Sequence, residues 1–297
     1  MARAVTLAHP VPAAAAEVAA GRRALLEAWA LLAPLVLFLL LLFVVPFAYS
    51  IWVSLVPPQA GPGLTLAAYR KFLADSFYLR IGLNTLILGA AVTGISLVLG
   101  YPMAYVLART RSRWKELMLF LIIAPLMVSI IMRTFGWLVI LGRKGLVNAV
   151  LAAWGLTDRP VLLLFNWTGV LIGLVHVLLP FMILSIASVL EKLDESLEDA
   201  ALVLGASRWQ AFRMVVLPLS IEGIAAGCIL VSTLTIGSFV TVLLMGGPGT
   251  VVMPLLIYQQ VTVVFERHFA GAIGTLLLIL SFAAVYAQTR FLKREAL

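Results

Sequence analysis

Few side chains in this chain are equipped for covalent or metal chemistry. There are three histidines, His9, His176 and His268, and a single cysteine, Cys228. The patterns G-x-x-x-x-G-K-[ST], H-E-x-x-H and G-x-S-x-G are all missing. The chain therefore encodes no phosphate-cradling loop, zinc helix or nucleophile elbow. One cysteine allows no disulfide framework and no cysteine-based metal site; within its apolar run Cys228 reads as a small packing residue. What remains are isolated polar groups in apolar surroundings. Arg133 lies inside such a run, where a charge is costly unless it finds a partner or reaches the interface. It is either a gate residue or a side chain snorkelling outward, and it cannot be the main ligand of a polycation. Tyr101, Trp137, Phe239 and Tyr258 offer ring faces that suit ammonium groups, with lipid or core packing as the alternative. His176 reads as a hydrogen-bonded packing residue, and Glu222 as a solvated or Arg-paired group near a cytoplasmic interface.

A second constellation is built for docking rather than reaction. Asp199-Ala200-Ala201-x-x-x-Gly205 is followed by Val215-x-Leu217-Pro218, a polar turn set between long apolar segments. Ser196-Leu197-Glu198-Asp199 reads as a capping box, with the Ser196 hydroxyl accepting a backbone N–H. Asp194, Glu195, Glu198 and Asp199 place negative charge at the positive end of the helix dipole. Leu197, Ala201 and Leu204 share one face. Gly205 stands where a left-handed residue ends a helix. Ser207-Arg208-Trp209-Gln210 is a second capping box, and Pro218 falls in the first turn of the next apolar segment. The pattern spells helix, tight glycine turn, helix, membrane span.

The elements that carry these residues must be membrane helices. Hydrophobic residues make up 63% of the chain, charged residues 11%, and the mean hydropathy is +1.11, whereas soluble proteins carry about 25% charged residues. Six apolar runs reach the length of about 20 residues needed to cross a bilayer: 31–55, 83–108, 117–141, 161–190, 217–245 and 269–291. The fourth is expected to open with a short surface segment before Asn166-Trp167. No strand alternation is present, which argues against a membrane barrel. The net charge of +8 comes from basic residues clustered between the runs, so it is a topology signal rather than a nucleic-acid footprint. With the N-terminus inside, cytoplasmic segments hold Arg3, Arg22, Arg23, Arg109, Arg111, Arg113, Lys115, Lys192, Arg208, Arg213, Arg290, Lys293 and Arg294. External segments hold only Arg70, Lys71, Arg80, Arg143, Lys144, Arg159 and Arg267, so the positive-inside rule puts both termini and 194–218 in the cytoplasm. Residues 1–30 read as a loosely ordered cytoplasmic tail. The first run reads as an uncleaved span, being too long for a signal-peptide core. Between the first two runs, Leu66, Tyr69, Phe72, Leu73 and Phe77 fall at helical spacing with Arg70, Lys71 and Arg80 between them, an amphipathic surface helix.

The docking pattern closely resembles the E-A-A-x-x-x-G … I-x-L-P loop of bacterial ABC importer permeases, with Asp199 in place of Glu and Val215 in place of Ile. The resemblance runs from about residue 31 to the C-terminus. The type I permease domain is expected to begin at Asn84-Thr85, where many members have N-T or N-S. Gly100-Tyr101-Pro102-x-Ala104-Tyr105, Pro125-Leu126-x-Val128-Ser129 and Arg133-Thr134-Phe135-Gly136-Trp137 are similar to the spermidine/putrescine permeases. So are Leu141-Gly142-Arg143-x-Gly145-Leu146-x-Asn148, Gly237-Ser238-Phe239-Val240 and Gly246-Gly247-Pro248. The similarity is to the first of two permease subunits.

That resemblance implies an all-α integral membrane fold of six transmembrane helices, with a first span at 31–55 and a type I domain over 84–292 containing the coupling loop 194–218. It implies a non-catalytic subunit of a bacterial inner-membrane importer, forming the pathway for a polyamine. Asp199, Ala200, Ala201, Leu204, Gly205 and Pro218 would couple it to an ATPase dimer that itself binds ATP–Mg, this chain holding no cofactor or metal. The further partners implied are a second homologous permease subunit and a periplasmic or lipid-anchored substrate-binding protein. Ferric iron and phosphonate permeases share much of the pattern, so those solutes stay open. An ion-coupled carrier would need protonatable groups at mid-membrane, and the acidic residues here sit at or near the span ends.

Overall fold

A computed structural model describes residues 13–56 and 63–295, with side chains described for 29–56 and 63–290. Every regular element among them is helical. Contacts divide the chain at residue 53. The first unit is most of one long helix, α1 (Ala13–Leu55), which contains Pro34 and Pro46. Residues 13–30, expected as loose tail, are helical and continuous with the span; their alanine-rich sequence is a strong helix former. Residues 1–12 lie outside the described residues.

The second unit opens with α2 (Ala67–Ala74), which buries Ala68 and Phe72. Phe77, expected on the same amphipathic face, belongs instead to α3 (Ser76–Arg109), whose start is capped by Asp75 accepting the Phe77 N–H at 2.8 Å. The third apolar run is not one helix. It divides into α4 (Trp114–Ile123) and α5 (Ile130–Leu141) around a 3-10 turn, Ala124–Met127. Pro125 explains the break, since it has no N–H and its ring opposes a continuing helix. A turn then leads into α6 (Leu146–Ala153), and the stretch long and apolar enough to cross is Ile130–Ala153. α7 (Trp167–Leu190) follows the expected surface segment, with Asn166 accepting the Gly169 N–H at 3.0 Å as its cap.

The docking segment comprises α8 (Ser196–Val203) and α9 (Arg208–Ala211), a π turn at Phe212–Val216, and α10 (Leu217–Leu219). The chain then bends by 63° into α11 (Ile221–Ile236). Short helices α12 (Val240–Met245) and α13 (Met253–Gln259) lead to α14 (Arg267–Glu295). Among the described residues five helical stretches are long and apolar enough to span, and the bent pair makes a sixth.

The core lies between α3, α7 and α11. Leu88, Val92, Ala104 and Leu107 meet Val170, Leu174, Met182, Ile183, Ile186 and Leu190, with Val231 opposite. In lipid the hydrophobic effect gives no drive between helices, so close backbone approach supplies the packing. Gly223 makes it possible: a Cβ there would stand 3.1 Å from the Ile186 Cα and the Ser185 carbonyl. A smaller cluster joins Phe72, Ile81, Met253, Leu256, Phe269 and Ile273. There Thr85 accepts the Met253 N–H at 2.9 Å, and Asn84 donates to the Val251 carbonyl at 3.4 Å. The Asn84-Thr85 pair thus anchors the start of α13 to α3.

Candidate coupling site

The docking segment is organised by short-range hydrogen bonds. Ser196 does not cap α8 but is its first helical residue, after the N-cap Glu195; its N–H is accepted by the Asp194 carboxylate at 2.9 Å. That bond holds the Asp194 carboxyl below its ordinary range, with the Ser196 side chain adding to the effect. Glu198 and Asp199 occupy the first turn, on the favourable side of the dipole. At the other end the Gly205 N–H reaches the Leu202 carbonyl at 3.0 Å and the Ala206 N–H the Ala201 carbonyl at 3.1 Å. These are the paired bonds of a Schellman turn, and Gly205 takes the required left-handed backbone at φ +92°. The second capping box is present as expected: Gln210 N–H to Ser207 Oγ at 3.3 Å, and Ser207 N–H to Gln210 Oε1 at 2.8 Å.

Beyond α9 the structure departs from a simple restart. The helix runs through the π turn, where the Leu217 N–H bonds the Phe212 carbonyl. Pro218 therefore sits inside a continuous helical arm, two residues before the bend at Ser220. Around the glycine turn Val203 is 87% exposed, Leu204 88% and Trp209 67%, apolar side chains held out on a rigid polar loop.

The end of α3 holds this segment. Glu198 has both carboxylate oxygens occupied, one by Arg109 Nη2 and the other by the Tyr105 hydroxyl, which donates at 2.9 Å. Arg109 Nη1 also reaches the Leu193 carbonyl at 3.4 Å, and its guanidinium lies 5.8 Å from the Tyr105 ring centre. Tyr105 and Tyr101 both meet the Phe212 ring edge-on, at 6.0 and 5.5 Å, and Phe212 stacks on Trp209. Tyr101 is buried, its hydroxyl 2.8 Å from Ser220 Oγ. Outside this grip, Arg111 pairs with Glu195 at 3.0 Å and Lys115 with Glu191 at 2.9 Å.

The five residues read as pathway or gate candidates do not form one group. Tyr101 packs against Phe212 and Ser220. Arg133 and Trp137 are one turn apart on α5, and Trp137 Nε1 donates to His176 Nδ1 on α7 at 3.2 Å, which gives His176 the hydrogen bond expected of it. Arg133 Nε and Nη1 are buried with no hydrogen-bond partner among the described residues. Phe239 and Tyr258 lie with ring centres 5.3 Å apart and planes tilted by 31°. His176 also borders an apolar cavity of about 320 Å³ between Met103, Met118, Pro125 and Leu179. Among the described residues no group of three His, Cys, Asp or Glu side chains could hold a metal.

Residues 96–295 match the family described as binding-protein-dependent transport system inner membrane component. The chain belongs to this family. The permease is 34% identical over 235 residues to the spermidine/putrescine transport system permease protein PotB of Haemophilus influenzae, covering 78% of this chain and 82% of that protein. It is 37% identical over 215 residues to PotB of Escherichia coli, covering 72% and 78%. Molybdenum transport system permease protein ModB of Azotobacter vinelandii is 30% identical over 212 residues, covering 70% and 92%. A crystal structure of a bacterial ABC transporter that imports the acidic polysaccharide alginate contains a chain of the same fold, at TM-score 0.74 and 20% identity, covering 94% of the permease and 99% of that chain. The resemblance drawn from the motifs is thereby borne out, and the permease is a multi-pass inner-membrane protein. In the sequence Tyr105, Arg109 and Glu198 stand apart, as motif residue, topology charge and dipole charge. The spacing of Tyr101, Tyr105 and Arg109 puts these three on one face of α3 but does not single out Glu198 as the group that face meets.

Proposed function

We propose that this permease forms half of the translocation pathway of an ABC importer and takes its power from a separate ATPase dimer seated on the turn around Gly205. The observation that carries the reading is the pairing of exposed Val203, Leu204 and Trp209 with a turn fixed by two capping motifs. Exposed apolar groups on a rigid polar loop mark a protein contact. Asp199, Ala200, Ala201 and Gly205 line the docking turn, Leu204 is its apolar contact, and Pro218 lies in the arm that carries the motion toward α11. The chain itself is non-catalytic. A second homologous permease completes the pathway, and a substrate-binding protein delivers the solute from the external side, with both termini and 194–218 in the cytoplasm as the basic residues dictate.

The solute is a polyamine, supported by relatives named as spermidine/putrescine permeases at 34–37% identity. The test is uptake of labelled putrescine or spermidine into proteoliposomes holding the permease with its neighbouring subunits and binding protein. Uptake that requires both ATP and the binding protein supports the reading. Hydrolysis stimulated by the binding protein without polyamine entry removes the substrate and leaves the importer. A small oxyanion is the second reading, favoured by the buried Nε and Nη1 of Arg133, without a partner among the described residues, and by similarity to a molybdenum permease; labelled molybdate in the same vesicles decides between them.

A further inference from the structure

We propose that Arg109 and Tyr105 are positioning residues for energy coupling, clamping Glu198 so that displacement of the docking turn is delivered straight to α3. The inference rests on the docking reading above. The docking segment is joined covalently to α7 through 191–195 and to α11 through the bend at Ser220, but to α3 by side chains alone. α3 is nevertheless a principal wall of the core. Without a lateral link its cytoplasmic end would follow the segment only through deformation of that packing.

The link is suited to carry load. The two oxygens of Glu198 are held by two donors one helical turn apart, Tyr105 and Arg109, which fixes the carboxylate in orientation as well as position. The Arg109 and Glu198 side chains are only 17% and 20% exposed, so salt screens this pair far less than a surface one. The Arg111–Glu195 pair differs: Arg111 is 81% exposed, and such pairs contribute little. Tyr101, Tyr105 and Arg109 form one stripe on α3 that grips both arms of the segment, the first at Glu198 and the second at Phe212 and Ser220. The docking turn and the last two turns of α3 therefore move as one body.

The experiment measures putrescine taken up per ATP hydrolysed by the full reconstituted complex carrying Arg109→Glu, Glu198→Arg or both. Each single reversal is expected to lower the ratio about tenfold, within the range of coupling free energies of about 1–3 kcal/mol, and the double swap to recover most of it. A structural role alone would not be rescued by exchanging the charges. Ratios equal to the unaltered complex in both singles overturn the clamp, as does a swap no better coupled than either single. Should the reversals prevent assembly, Glu198→Gln and Tyr105→Phe decide: a fall of about threefold supports the clamp, and an unchanged ratio overturns it. An unaltered complex whose ATP hydrolysis is not stimulated by the binding protein overturns the docking reading and the clamp with it, whereas stimulated hydrolysis without putrescine entry changes only the solute to be labelled in the same comparison.

Discussion

Replacing Gly205 by alanine isolates the value of the docking turn. The residue sits at φ +92°, and a Cβ built on it has nothing within 4 Å. The substitution therefore brings no collision, only the cost of holding an L-residue in a left-handed backbone, about 1–2 kcal/mol. A penalty of that size depletes the docking-competent turn by about 5- to 30-fold. Apparent affinity for a partner that needs this form drops by the same factor. Titrating the purified ATPase subunit onto proteoliposomes that carry the permease pair, with hydrolysis as readout, should show the half-saturating concentration rising by that factor. Gly205→Asn should lose less, because asparagine tolerates the left-handed region better than alanine. An alanine variant that saturates at the original concentration would show that the ATPase does not read this turn, and the docking assignment would go with it.

Three further perturbations test the scaffold. Asn148→Ala removes bonds to the Gly142 carbonyl, the Val161 carbonyl and the Val161 N–H. At about 1–3 kcal/mol for each buried group left unsatisfied, a clear fall in the thermal midpoint of the detergent-purified protein is expected. Gly223→Ala should cost about 1–3 kcal/mol by overpacking, because its Cβ meets backbone 3.1 Å away, whereas Gly94→Ala, with nothing within 4 Å, should leave the same midpoint unchanged or raised. Tyr101→Phe gives up one buried bond while Ser220 keeps its second, to the Leu217 carbonyl at 2.9 Å, so equilibrium unfolding should show a loss of only about 0.5–1.5 kcal/mol.

What the sequence disclosed about the coupling site was whatever is decided within four or five residues. The left-handed Gly205 and the Ser207–Gln210 box depend on neighbours alone, and both stand as read. At the start of α8 Asp194 and Ser196 both offer an oxygen near the first free N–H groups, and which of them serves turns on where the helix begins. Long apolar runs hid their own interruptions. Pro125 and Ser220 divide the third and fifth runs, yet neither alters hydropathy enough to show in a window of membrane length. The grip of α3 on Glu198 was out of reach for a different reason. It joins residues 89 positions apart, and periodicity within one helix says nothing of which neighbour its polar stripe will meet.

The π turn at Phe212–Val216 has a bearing on how this arm tolerates insertion and deletion. An α-helix advances about 100° per residue, so one residue added or lost between the docking turn and α11 would ordinarily swing Val203 and Leu204 to another side of the arm. A wide turn holds a surplus residue without passing that rotation on. Shortening the chain by one residue inside Phe212–Val216 should close the turn to α geometry and leave the docking face aimed as before. The same deletion in the first turn of α11 should misdirect it. The length of this arm is therefore adjustable in one place without turning Val203 and Leu204 to another side.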